Sequence, residues 1–512
     1  MLLRAGETCW RVERADRAAL IVDMADYYLA ARQAFLKARS TIHLLNWAFD
    51  PDTPFAPAAG GSAPAEERFG PFLRRLAEQR PELDVRILCW KSALPIAATQ
   101  RFFPHRAKQC FEGSPVRFLL DATVPLGACH HQKMIIVDDR LAFCGGGDIA
   151  PDRWDTAEHL DDDPRRRSLG WRHRPYVSRH EVMGLVEGPP AAALGELFRE
   201  RWRRAAGEFP PAVAAGAADL WPSTIPPQLG AIDAGVSRTQ PGWRDEVEAR
   251  ECEALHVAAI AAARRCVYLE NQYFTSPLIA DVLAARLVEP DGPEVILIGA
   301  EHSPSWFDRV TMDRTRSVFL KRLRASDIHG RLHAYTPTTA RGRPMIVHAK
   351  LSIIDDGLLR IGSANLNNRS GGFDTECDLS FEADPADEAS RKIIAGLRSR
   401  LVAHWLGLPI RAVEQALAAT GALGLAIERL RQGGQTRLKP LSPKPLGPLA
   451  AFIASYHLGD PIGAPDSWKP WERKPALENR RLAAAQAMRD LAMAGDGAPT
   501  RERPAAASGA SG

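Results

Sequence analysis

Two stretches of this 512-residue chain carry histidine, lysine and aspartate at one spacing. The first runs from His130 to Asp139 (HHQKMIIVDD) and the second from Val347 to Asp356 (VHAKLSIIDD). His131, Lys133 and Asp138 therefore match His348, Lys350 and Asp355. The register continues beyond them, with Leu141 matching Leu358 and Gly145-Gly146-Gly147-Asp148 matching Gly362-Ser363-Ala364-Asn365. An imidazole can attack or move a proton near neutral pH, and a compact ammonium can sit against an anionic oxygen. That combination suits a reaction at an oxygen-rich anionic centre such as a phosphate. Met134 to Val137 is short, apolar and partly β-branched, and a turn-like Asp138-Asp139-Arg140 follows, as expected of a buried strand. Alternation along a strand sends His131 and Lys133 the same way at its entrance.

Lysine usage sharpens the pattern. The chain has 11 lysines against 55 arginines, yet both motifs keep lysine, whose flexible point charge suits a single phosphate oxygen. With 45% hydrophobic and 25% charged residues, the chain is globular and long enough for two large cores. A net charge of +4 fits an anionic partner but leaves little room for the basic stripe of a nucleic-acid binder. The eight cysteines are scattered, without a C-x-x-C pair, which argues against a disulfide framework or a zinc site and for a reducing compartment. The first twenty residues carry charges throughout, so no signal peptide is expected. No run approaches the ~20 apolar residues of a membrane span. The expectation is a cytoplasmic protein that touches membranes, if at all, from the surface.

The duplication reaches the elements that must position the motifs. An amphipathic segment ending in a strand at Thr41 to Trp47 has its counterpart before a strand at Cys266 to Tyr273. "LDVRILCW" pairs with "PEVILIGA", and "PVRFLLDA" with "GRLHAYTP", each ahead of a motif strand. Strands alternating with helices predict an α/β fold of two duplicated halves, each a mixed sheet flanked by helices. The boundaries expected are 1–206 for the first half, 207–234 for a Pro- and Ala-rich linker and 235–406 for the second half. A helical and irregular extension over 407–492 and a disordered tail over 493–512 complete the chain. Within the extension, residues 411–432 read as a helix ended by Gly433-Gly434, and "LGPLAAFIASYHLGDP" as a small core element.

Two H-x-K-x-x-x-x-D elements in duplicated α/β halves resemble the phospholipase D superfamily, over roughly residues 1 to 430. "HHQK", "GGGDIAPDRWD", "VEGPPAA" and "LENQYF" are similar to its phospholipase D and cardiolipin synthase-like branch. The resemblance implies halves packed as a pseudo-dimer around one active site. It implies cleavage of a phospholipid head-group phosphodiester, with one histidine attacking and the other serving as acid and base. The first motif usually supplies the nucleophile in that family, which makes His131 the nucleophile and His348 the acid/base. Lys133 and Lys350 would neutralise the non-bridging oxygens, with Asn365 and Asp148 completing the phosphate cradle. Asp138 and Asp355 complete the motifs, although their strand parity suits bracing better than substrate contact. A histidine nucleophile needs an acceptor on its other nitrogen, and Glu181 and Glu376, each ahead of a strand, are assigned as these partners. No cofactor or metal is needed for this chemistry, and no carboxylate cluster has calcium-binding spacing.

The halves differ between motif and glutamate: 43 residues separate Asp138 from Glu181, but 21 separate Asp355 from Glu376. The extra stretch is rich in arginine, with Trp154 and Trp171, and is expected to border the active-site mouth against a phospholipid surface. The partners expected are a phospholipid and a water or alcohol acceptor, with no nucleic acid, and a single chain acting as its own pseudo-dimer. A cardiolipin synthase-like phosphatidyltransferase differs only in the accepting alcohol. A nuclease of the same superfamily would use identical catalysis.

Overall fold

The computed structural model describes residues 1–92, 102–168, 174–213, 218–432 and 437–495, without the side chains of 483–495. Trp171, Gly433, Gly434 and the tail from 496 onward lie outside the described residues.

The motif strand Met134–Val137 sits near the middle of a seven-stranded sheet. In order, the strands are Arg17–Val22, Val182–Glu187, Leu141–Gly145, Met134–Val137, Thr41–Asn46, Asp84–Trp90 and Arg117–Asp121. Pairing is antiparallel up to Thr41–Asn46 and parallel beyond it. The second sheet repeats this order with Ile232–Gln240, Glu376–Glu382, Leu358–Gly362, Lys350–Ile354, Cys266–Asn271, Glu294–Ile298 and Leu332–Pro337. Both sheets are therefore mixed, and helices flank them. Arg11–Ala15, at the start of the chain, pairs antiparallel with Ile232–Gln240 in the second sheet. The next strand, Arg17–Val22, belongs to the first sheet, so the sheets are interlocked from their first residues.

Strand alternation gives each sheet two apolar faces. Met134, Ile136, Cys144 and Val182 of the first sheet share one core with Leu351, Ile353, Ile361 and Leu379 of the second. The helices Pro189–Ala206 and Glu388–Leu406 contribute Phe198, Trp202, Leu401 and Trp405 to it. Ile135 and Val137 face instead the outer core under the helices Met24–Lys37 and Phe69–Gln79. A separate outer core covers the far face of the second sheet. The ends of the motif strands consequently meet where the two halves join.

The stretch 411–432 forms two helices, Ile410–Thr420 and Leu423–Arg431, bent by 119°. Gly421 causes the break: at φ 73° it is a left-handed C-cap that other residues adopt at a cost. No single helix among the described residues is long and apolar enough to cross a membrane, and this bent pair buries Val413, Leu423 and Ile427 in the shared core.

Candidate active site

Each motif histidine is held by backbone of the opposite half. His131 N donates to Thr375 O at 2.9 Å, and Thr375 N returns a bond to Cys129 O at 3.0 Å. In the other copy, His348 N donates to His180 O and Ile346 N to Ser178 O, both at 2.9 Å. The residues after Thr375 and His180 are the two glutamates. His131 Nδ1 lies 2.9 Å from Glu376 Oε2, and His348 Nδ1 bonds Glu181 Oε2. The carboxylates thus cross over, each glutamate serving the histidine of the other half. With Nδ1 engaged, Nε2 is the atom left for chemistry on each ring.

His348, Glu181 and Glu376 are buried and His131 is half-buried. Burial pushes Glu376 up to about 8 and Glu181 up to about 7. It holds both histidines well below their usual range, with the motif lysines adding to the effect. Lys133 and Lys350 each act on both histidines, so the two motifs form one electrostatic unit. Lys133 Nζ donates to His131 O at 2.6 Å; Lys350 Nζ donates to His348 O and, at 3.1 Å, to Gln272 Oε1. Burial lowers Lys350 to about 7. Arg179 and Arg153 add positive charge beside His348 and Glu181.

Asn365 and Asp148, at equivalent positions, are used differently. Asn365 is buried and its Oδ1 has no hydrogen-bond partner among the described residues. The Asp148 carboxylate is committed: Oδ1 accepts from Trp47 N at 2.9 Å and Ala48 N at 3.1 Å, and Oδ2 lies 3.6 Å from Lys133 Nζ. An anion held there orients the lysine and would repel a phosphate. The expectation that Asp148 joins the phosphate cradle is replaced by a positioning role.

Asp138 and Asp355, grouped with the catalytic set by the motif spacing, sit at the far ends of their strands. Five residues of strand place Asp138 about 16 Å from Lys133. Asp138 accepts from the amides of Arg39, Ser40 and Thr41 at 2.7–2.8 Å. Asp355 accepts from Arg264, Arg265 and Cys266 N at 2.7–3.0 Å. Both have positive φ, 53° and 51°, in tight hairpin turns, so they fasten the start of the adjacent strand instead of touching substrate. His130 is likewise structural, between Thr375 Oγ1 and Asp121 Oδ2, each at 3.0 Å.

The long insert of the first half differs from expectation. Trp154 is buried in the outer core with Arg165 over its ring, and Arg166 is buried against Asp155. These groups hold the loop together and are not an exposed basic rim. Residues that sequence reasoning passed over complete the site. Ser363 and Ser370 donate to Glu376, and Gly146 leaves room for Glu181, whose Oε1 would lie 2.4 Å from a Cβ there. The match of Gly146 to Ser363 in the repeat was the available signal.

Residues 257–398 match the family model described as "Cardiolipin synthase, PLD-like domain". The chain is 24% identical to phospholipase D A of Dictyostelium discoideum, across 76% of this chain and 35% of that one. It is 27% identical to cardiolipin synthase A of Pseudomonas aeruginosa, across 50% of this chain and 46% of that one. It therefore spans about a third to a half of the length of these curated relatives. The phosphatidylserine synthase structure from Haemophilus influenzae Rd KW20 covers 94% of this chain and 96% of its own, with TM-score 0.50 and 12% identity, a likeness of fold. Fold, duplicated site and relatives define one class: the chain belongs to the phospholipase D superfamily.

Proposed function

We propose that this protein is a phospholipase D-type phosphodiesterase that cleaves the head-group phosphodiester of glycerophospholipids through a phosphohistidine. The observation that carries the reading is the pair of crossed histidine–glutamate contacts with both motif lysines acting on both rings. In the proposed sequence, His131 Nε2 attacks phosphorus and a P–N bond replaces the bond to the head-group oxygen. His348 gives that oxygen its proton. Lys133, Lys350 and the Asn365 amide take the non-bridging oxygens as charge builds. His348 then removes a proton from water or an alcohol, which attacks phosphorus and releases phosphatidic acid or a phosphatidyl-alcohol, restoring His131.

An apolar rim supports a lipid substrate. Leu126, in the loop leading to His131, and Trp468, close to neighbouring Gly127, are exposed. On the other motif's side, Trp306 and Phe307 are exposed just ahead of Asp308, which bonds Tyr273 beside Gln272. Leu449 and Phe452 of the helix Pro448–Ser455, expected to be core, are also exposed. Such a surface suits peripheral membrane contact better than nucleic acid. The cardiolipin synthase reading rests on the relatives of that name and differs only in the acceptor.

Mixed phospholipids incubated with the full chain, with and without ethanol or glycerol, test the proposal by mass spectrometry. Phosphatidic acid in water and phosphatidyl-alcohol with added alcohol are expected. Cardiolipin as the product would select the alternative, and cleavage of nucleic acid without lipid turnover would overturn the lipid assignment.

A further inference from the structure

Behind Glu181, four side chains from distant parts of the chain converge: Asp23, His159, His180 and His404. One ligand atom from each lies within 4.8 Å of all the others. His159 Nε2 is 3.2 Å from His404 Nε2 and 3.4 Å from Asp23 Oδ2, and His180 Nδ1 is 3.2 Å from Asp23 Oδ1. Nitrogen and oxygen donors about 2.0–2.1 Å from a tetrahedral zinc ion are separated by about 3.3 Å. With Asp23 Oδ2 as its ligand atom, two of the six gaps already have that length, and His180 Nδ1 lies against the other oxygen of the same carboxylate.

The surrounding groups prepare these atoms. His159 Nδ1 lies 3.0 Å from Asp155 Oδ2 and His180 Nε2 lies 2.9 Å from Glu270 Oε2. With a cation bound, donation to those carboxylates would leave His159 Nε2 and His180 Nδ1 as lone pairs facing it. Asp155 is itself fixed by Arg166 at 3.0 Å and by Arg179 N at 2.9 Å, and Glu270 by Trp405 Nε1 at 2.7 Å. Asp23 Oδ2 and His180 Nδ1 are buried and, apart from their contacts at 3.4 and 3.2 Å within the cluster, make no hydrogen bond among the described residues. The buried carboxylates of Asp23, Asp155 and Glu270 surround the three imidazoles, with Arg166 against Asp155, and a dication among them would offset their charge. Asp23 also holds φ 69° and ψ 156°, a backbone region normally left to glycine. Such strain persists where the surroundings demand one geometry.

We propose that Asp23, His159, His180 and His404 form a closed, four-coordinate zinc site with a structural role. It would tie the long insert, through His159, to the helix Glu388–Leu406 of the second half and to the strand residues before Glu181. Asp23 N donates to Glu181 O at 2.8 Å and Glu181 N to Asp23 Oδ1 at 3.1 Å, so the site backs the carboxylate that orients His348. It explains why the first half has an insert: His180 aligns with Thr375, and the second half has no matching histidine. Sequence reasoning anticipated neither metal nor zinc, since these four positions have no ligand spacing along the chain.

Full-length protein, produced with zinc in the medium and purified without chelators or metal-affinity resin, tests this by elemental analysis. One zinc per chain is expected, with the visible absorption of tetrahedral cobalt after cobalt substitution. The double variant His159→Ala/His404→Ala should lose the metal. Asp155→Asn, which keeps the four ligands, should weaken zinc affinity by roughly 10- to 100-fold. A strong chelator should lower the unfolding temperature of the wild type. Folded wild-type protein that carries no metal and gives no tetrahedral cobalt spectrum would overturn the proposal in favour of a proton-bridged cluster. So would stoichiometric zinc in a folded double variant, or stoichiometric iron or manganese in place of zinc. The wild-type measurement and Asp155→Asn decide the matter if the double variant does not fold.

Discussion

The pairs His131–Glu376 and His348–Glu181 come from the same duplicated backbone, yet their surroundings differ. Glu376 receives hydroxyl hydrogen bonds from Ser363 and Ser370, one on each oxygen. Glu181 faces Gly146 where its counterpart faces Ser363, and its Oε1 has no partner among the described residues. Hydroxyl donors fix a carboxylate in place and oppose the effect of burial, which still leaves Glu376, at about 8, above Glu181, at about 7. Such a carboxylate suits a histidine that must carry positive charge through the life of an intermediate. One with an open oxygen, beside Lys350 and Arg179, suits a histidine that passes its proton on and takes it back. The asymmetry supports His131 as nucleophile and His348 as acid/base.

Substitutions can break the comparison. His131→Ala and His348→Ala should each cost at least ~10² to 10⁴ in turnover of natural phospholipid, with unchanged circular dichroism. Wild-type rates in both would remove the site assignment. Gly146→Ala places a methyl against Glu181 Oε1 and His348 O. Overpacking costs roughly 1–3 kcal/mol, so kcat should fall about 10- to 100-fold with little change in KM. An unchanged kcat would show that Glu181 is free to move.

The pH profile sharpens it further. The nucleophile pair, which attacks in its unprotonated form, takes up a proton on the Glu376 carboxyl as pH falls through about 8. The acid pair gives up its proton as pH rises through about 7. The nucleophile pair has the higher value, so the plot of kcat/KM against pH should be a bell, flat between about 7 and 8, with its low-pH limb set by the acid pair and its high-pH limb by the nucleophile pair. The Ser363 hydroxyl holds Glu376 down, so Ser363→Ala should raise Glu376, move the high-pH limb upward and lower the plateau, leaving the low-pH limb in place. A moved high-pH limb with an unchanged plateau would exchange the roles of the two pairs.

What was legible in the sequence follows the physics of each feature. Met134–Val137 has the bounds its apolar run suggests, because burial on both faces leaves a local signature. The two glutamates could be picked from the repeat, but their crossing could not, since it arises only when the halves pack. Asp138 and Asp355 look catalytic as motif letters, but their parity already points to bracing; only the amides they fasten, distant in sequence, need the fold. Trp154 looked like an interfacial indole but fills the outer core, since side-chain type does not reveal which way a loop folds back. The cluster at Asp23 and His404 joins residues from opposite ends of the chain.

The most direct test is to trap the covalent intermediate. An activated, phenol-like leaving group needs little protonation, so His348→Ala should still be attacked, then release its phosphatidyl group slowly because the base for hydrolysis is missing. Quenched protein, digested and mapped by mass spectrometry, should carry the phosphatidyl group on His131 in that variant and in wild type. His131→Ala should carry none. An adduct on His348 of the wild-type protein, or product formed with no adduct on either histidine, would contradict the account.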